Sequence, residues 1–74
     1  MEVEVKLISS FRTGRFKSKR FILSDETKIT DILDSLDIKK EELGFVLING
    51  KYSNIDASLN DNDVLEFFPP SAGG

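Results

Sequence analysis

From Glu2 to Ile8 the chain alternates, with Val3, Val5 and Leu7 on one side and Glu2, Glu4 and Lys6 on the other. Period two with β-branched residues predicts a strand with one buried face. Ile8 breaks the pattern, an apolar residue on the otherwise polar side. Ser9 to Gly14 predicts a turn or loop with Gly14 as its pivot. Arg15 to Leu23 reads as a second strand, with Phe21 and Leu23 inward and Phe16 and Ile22 on the opposite side. A short loop joins the two strands, so they are expected to pair antiparallel.

The period then changes. Ile29, Ile32, Leu33 and Leu36 recur at three- and four-residue steps, the apolar stripe of one helix face. Thr30 is the expected N-cap, and Asp31 and Asp34 suit the positive end of the helix dipole. The helix should fade by Ile38, with one further turn over Lys39–Leu43 closed by Gly44. Phe45-Val46-Leu47-Ile48 is a compact β-prone run. Asn49-Gly50 follows it, and both residues tolerate the positive φ of a type I′ turn. Lys51 to Ser53 should start a short return strand. Asn54 to Asp63 is turn-rich, with Ile55 and Leu59 as core anchors, and Asn60-Asp61-Asn62-Asp63 turns the chain into a last strand, Val64 to Phe68. Leu65 and Phe67 fall on one face of it; Val64, Glu66 and Phe68 fall on the other. One helix with one apolar stripe must bury it on one sheet. The order predicts an α+β fold, a β-grasp in which a mixed sheet wraps around a single main helix.

Composition narrows the chemistry. Seventy-four residues make one domain with a small core. There is no cysteine and no histidine. That removes disulfides, thiolate metal sites, and every dyad or triad built on His or Cys. No metal site is expected. No apolar run approaches a membrane span, and the charged start is no signal peptide, so a cytoplasmic protein is expected. The net charge is −3, which argues against a nucleic-acid domain despite the basic run Arg12, Arg15, Lys17, Lys19 and Arg20. That run and the acidic one after it (Asp25, Glu26, Asp31, Asp34, Asp37) read as solvated faces or as a surface for a charged partner.

The end of the chain is the segment this composition leaves to carry function. Phe67-Phe68 runs into Pro69-Pro70 and then Ser71-Ala72-Gly73-Gly74. Proline fixes φ near −65° and favours an extended path. The four small residues after it carry little bulk, and glycine lets backbone approach another surface closely. The reading is a domain over residues 1–68 and a tail over 69–74, a slender arm that packs on nothing within its own domain and enters a channel in another protein.

With this tail and element order, the chain resembles the MoaD/ThiS-like ubiquitin-fold sulfur carriers, most of all the small subunit of molybdopterin synthase. The carrying residues are Phe67 to Gly74, the Asn62-Asp63-Val64 turn before them, and the strand–strand–helix order. The resemblance implies a non-catalytic, sulfur-carrying subunit with no bound cofactor. A ubiquitin-activating-like enzyme would use ATP to adenylate the Gly74 carboxylate, and a sulfur donor would convert it to a thiocarboxylate. The large subunit of molybdopterin synthase would then receive the tail, in a heterotetramer of two small and two large subunits. Gly74 is the reactive residue and Gly73 its flexible neighbour. Phe68 would be an exposed interface residue, and Pro69, Pro70, Ser71 and Ala72 would bind the partner as the arm enters its channel. A lysine-conjugated protein modifier and a carrier for thiamine or tRNA thiolation end in similar tails. A binding module with an inert tail would leave Pro69 to Gly74 without a role. No nucleic acid or membrane is implied.

Alternation adds a separate clue. In a β-grasp order, Phe68, Ile8 and either Phe45 or Leu47 share the face opposite the helix. Ile8, Phe45, Leu47 and Phe68 are therefore candidate partner-binding residues, since exposed apolar patches often mark binding sites. The basic run Arg12–Arg20 maps to nothing in the resemblance.

Overall fold

The structure, a computed structural model, describes residues 1–70. The alternation of the first segment becomes β1 (Glu2–Leu7), in which Val3, Val5 and Leu7 are fully buried. A 3₁₀ turn over Ser9–Arg12 buries Phe11. β2 (Ser18–Ile22), α1 (Ile29–Ser35), a second 3₁₀ turn (Lys40–Glu42), β3 (Phe45–Ile48), β4 (Lys51–Ser53) and β5 (Val64–Phe68) follow. The five strands form one sheet in the order β2-β1-β5-β3-β4. β1 and β5 pair in parallel at its centre, and the other pairs are antiparallel. This is the mixed sheet around one helix that the pattern predicts.

The core lies between α1 and one face of the sheet. Ile29, Ile32, Leu33 and Ile38 meet Val3, Val5, Leu7, Val46, Leu65 and Phe67 there. Each fully buried aliphatic or aromatic side chain contributes about 1.5–3 kcal/mol of transfer free energy. Ile55, Ala57 and Leu59 pack as partly buried anchors at its margin.

Local chemistry sets the element ends. The Asn49-Gly50 turn has φ of 53° and 82°, as its type requires. Asn49 does more than turn. Its Oδ1 accepts from the Val64 N–H and its Nδ2 donates to Asp63 Oδ1, both at 2.9 Å. The Asn60 N–H donates to the other Asp63 oxygen at 2.8 Å. The β3–β4 hairpin thereby pins the start of β5, and the buried Asp63 carboxylate is satisfied. At the C-terminal end of α1, Asp37 adopts φ 58°. The Ile38 N–H donates to Leu33 O at 2.9 Å and the Asp37 N–H to Asp34 O at 3.0 Å. These bonds and the buried Leu33 and Ile38 make a Schellman ending without glycine.

Three expectations change. The N-cap of α1 is Lys28, not Thr30: the Lys28 carbonyl accepts from the Asp31 and Ile32 amides. The Asp31 side chain accepts from the Lys28 N–H at 2.9 Å, so the cap comes from inside the helix. The second strand starts at Ser18, not Arg15. Gly14 turns at φ 72° and the Arg15 N–H closes onto Arg12 O, so the chain is still turning there. Because the strand starts late, Phe16 is not opposite Phe21. The two rings sit 5.9 Å apart, with the Lys19 ammonium over both.

Candidate functional site

β5 is the central strand, and its last residue is where the tail begins. A proline has no N–H to give to a ladder, so a strand flanked on both sides must stop before one. β5 stops at Phe68, directly before Pro69. On the β1 side the Ile8 N–H reaches Phe67 O at 3.2 Å, and on the β3 side the Gly44 N–H reaches Phe68 O at 2.8 Å. The tail therefore leaves from the middle of the sheet.

Register sorts the side chains. Phe45 pairs with Phe68, and Leu47 pairs with Glu66 on one flank and Tyr52 on the other. All five belong to the face turned away from α1, because Val46, Leu65 and Phe67 between them are buried against it. The Phe45 and Phe68 rings stack at 4.3 Å and 13°. The Tyr52 ring lies 5.3 Å from Phe45 at 49°. Ile8 follows Leu7, which pairs with Phe67, and so continues the row beside Phe68. The patch thus contains both Phe45 and Leu47 rather than one of them. Phe68 is half-buried rather than exposed, because Phe45 covers one side of its ring.

Tyr52 is the member that the sequence reading missed. It is 80% exposed, and it stands in a short polar run without alternation of its own. The signal was the two-residue turn: once Asn49-Gly50 closes the hairpin, Ile48 must face Lys51 and Leu47 must face Tyr52.

The same face turns polar toward β2. Arg20 pairs with Glu2, and the Ser18 hydroxyl donates to Glu4 at 2.6 Å. The hydrogen bond and charge of Glu2 raise the Arg20 pKa above its ordinary value. An apolar aromatic surface at the tail exit thus grades into a charged one at the far strand.

Much of the basic run has structural work. The Arg12 Nε donates to Leu7 O at 2.7 Å. The Arg15 guanidinium donates to the carbonyls of Leu36, Phe11 and Asp37 at 2.9, 3.2 and 3.3 Å, and so caps the C-terminal end of α1. Pro69 and Pro70 are placed at the exit, and the chain bends at Pro70. Their backbone lies against Gly44, so the root of the tail does pack on its own domain, against expectation. Ser71, Ala72, Gly73 and Gly74 lie outside the described residues. Among the described residues no cluster of acidic side chains could hold a metal ion, and no helix is long and apolar enough to cross a membrane.

Comparison with known proteins agrees with this geometry. The model of the ThiS family matches residues 5–74. No curated protein sequence matches the chain. Its structure is similar to that of the HVO 2177 protein of Haloferax volcanii, with a TM-score of 0.77 and 30% identity over all of this chain and 87% of that one. SAMP1 from Haloferax volcanii shares the fold with a TM-score of 0.75 and 23% identity over the whole of both chains. A chain in the complex of subunits 1 and 2 of molybdopterin-converting factor from Helicobacter pylori matches with a TM-score of 0.65 and 26% identity, again over the whole of both. The chain belongs to the ThiS family and has the ubiquitin-like fold of the MoaD/ThiS sulfur carriers.

Proposed function

We propose that this protein carries sulfur on its C-terminal residue and delivers it as the small subunit of a molybdopterin synthase-type complex, in molybdenum cofactor biosynthesis. The observation that carries the reading is the continuity of the Phe45–Phe68–Tyr52 surface with the Pro69-Pro70 exit. One partner surface can hold the open face of the sheet and receive the tail at the same time. The complex of subunits 1 and 2 in Helicobacter pylori supports a large-subunit partner.

The chemistry follows from the end group. A carboxylate resists attack because of its charge. Transfer of AMP from ATP to the Gly74 carboxylate, with release of pyrophosphate, removes that charge and supplies a leaving group. A sulfur nucleophile at the oxidation level of hydrosulfide, given up by its donor, then forms the carbon–sulfur bond as the carbon–oxygen bond to AMP breaks, which leaves a thiocarboxylate with no change of oxidation state. The sulfur stays covalently held until the tail sits in the partner's pocket. Gly73 and Gly74 suit both pockets, since a β-carbon there would meet walls built for backbone.

Incubation with a ubiquitin-activating-like enzyme, ATP and a sulfur source should raise the intact mass by the difference between sulfur and oxygen. Deletion of Gly74 should abolish that gain without changing the unfolding midpoint. Higher-mass conjugates that vanish with Gly74 would replace this reading with a protein modifier. Activity indifferent to loss of Gly73 and Gly74 would leave only a binding module.

A further inference from the structure

The residue that faces the tail exit is a glycine with no need of glycine's backbone freedom. Gly14 and Gly50 both have positive φ, which explains them; Gly44 does not. What Gly44 lacks is space. A Cβ built on it would stand 2.6 Å from Pro69 O, 2.7 Å from Pro69 C and 2.8 Å from Pro70 Cα. All three are backbone atoms, so no rotation of a side chain could relieve the clash. On the other side, the Gly44 N–H holds Phe68 O at 2.8 Å. The residue that anchors the end of β5 also provides the groove into which the next two residues turn.

We infer that Gly44 is a positioning residue that sets the path by which the tail leaves the sheet. The hydrogen bond to Phe68 fixes the point of departure. The missing side chain then admits the Pro69–Pro70 backbone, so the direction of the tail relative to the aromatic face is built into the domain. Proline makes this effective, because its fixed φ carries the direction onward. The adjacent Phe45 stacks on Phe68, so docking face and tail path share one anchor. This inference rests on the sulfur-carrier reading for its functional consequence, but not for its geometry.

The consequence has a size. Restoring ordinary contact at Gly44→Ala requires the Pro69 backbone to shift by about 1 Å, and a misplacement of that order at a reacting centre can cost up to about 100-fold in rate. The shift falls at Pro69, several residues before the reacting carboxyl, so kcat for adenylation is expected to fall about tenfold. KM should stay within about twofold, because the docking face is unchanged. The assay is pyrophosphate exchange with the adenylating enzyme. Val46→Ala is the control: it weakens the same strand in the core and leaves the exit alone, so at a temperature where both variants are folded it should retain the wild-type kcat. Equal kcat for Gly44→Ala and wild type would overturn the inference while sulfur carriage stood. A second measurement needs no enzyme. In the wild type, NMR should show a strong nuclear Overhauser effect between the Gly44 and Pro70 α-protons, and its absence would overturn the inference even if Gly44→Ala failed to fold. A wild-type chain that is never adenylated, yet shows that contact, would sink the proposed function and keep Gly44 as the guide of the tail.

Discussion

Replacing Asn49 by glycine separates two explanations of one residue. If Asn49 is present only because it tolerates φ 53°, glycine does the same at no steric cost and stability should hold or rise slightly. The structure gives Asn49 two further bonds, to the Val64 N–H and to the buried Asp63 carboxylate. A net hydrogen bond is worth about 0.5–1.5 kcal/mol, and one to a charged group about 1.5–3 kcal/mol. Val64 is partly exposed and water can replace its partner, so the expected loss is about 2–4 kcal/mol. A chain of this length has roughly 4–11 kcal/mol in total. At about 4–8 °C per kcal/mol for a small domain, the melting midpoint should fall by roughly 10–30 °C. Urea unfolding followed by circular dichroism gives the free energy directly. A loss below about 1 kcal/mol with an unchanged denaturant slope would refute the claim that these side-chain bonds, rather than the turn alone, fix the start of β5.

Two further outcomes test separate parts of the structure. Tyr52→Ala should change stability by less than about 1 kcal/mol, because the side chain is 80% exposed, yet an aromatic anchor at an interface is worth about 2 kcal/mol or more, roughly a 30-fold rise in Kd. Calorimetry against the large subunit of a molybdopterin synthase reads this, and unchanged affinity would remove the aromatic patch from the interface. Phe68 is a poorer probe, since its stack on Phe45 also supports the β3–β5 pair. Arg15→Ala should cost about 1–2 kcal/mol in urea unfolding by freeing the Leu36 and Asp37 carbonyls at the end of α1 and the Phe11 carbonyl of the first 3₁₀ turn; no change would mean that water serves those carbonyls equally well.

The architecture was legible because the chain states its periods plainly. Val3, Val5 and Leu7, the stripe from Ile29 to Leu36, and the Asn49-Gly50 turn each specify a local geometry that tertiary packing keeps. Where the reading failed, a distant partner or a competing local bond decided. Thr30 has the chemistry of an N-cap, but the Asp31 carboxylate reaches back to the Lys28 N–H and starts the helix two residues earlier. Arg15 looks like one more charge in a basic run, and only the fold brings Leu36 and Asp37 to its guanidinium. Gly44 has an unremarkable place before a strand, and its reason lies in Pro69, 25 residues further along. Of the candidate site, the reading found Ile8, Phe45, Leu47 and Phe68 through alternation. Tyr52 needed the hairpin register as well.

Top-down mass spectrometry of the protein after incubation with an adenylating enzyme, ATP and a sulfur source measures the central claim most directly. The fragments should place one sulfur-for-oxygen exchange on Gly74, with every fragment that ends before it unchanged. An unaltered Gly74 under conditions that activate a known carrier, or sulfur placed anywhere else in the chain, would contradict the claim.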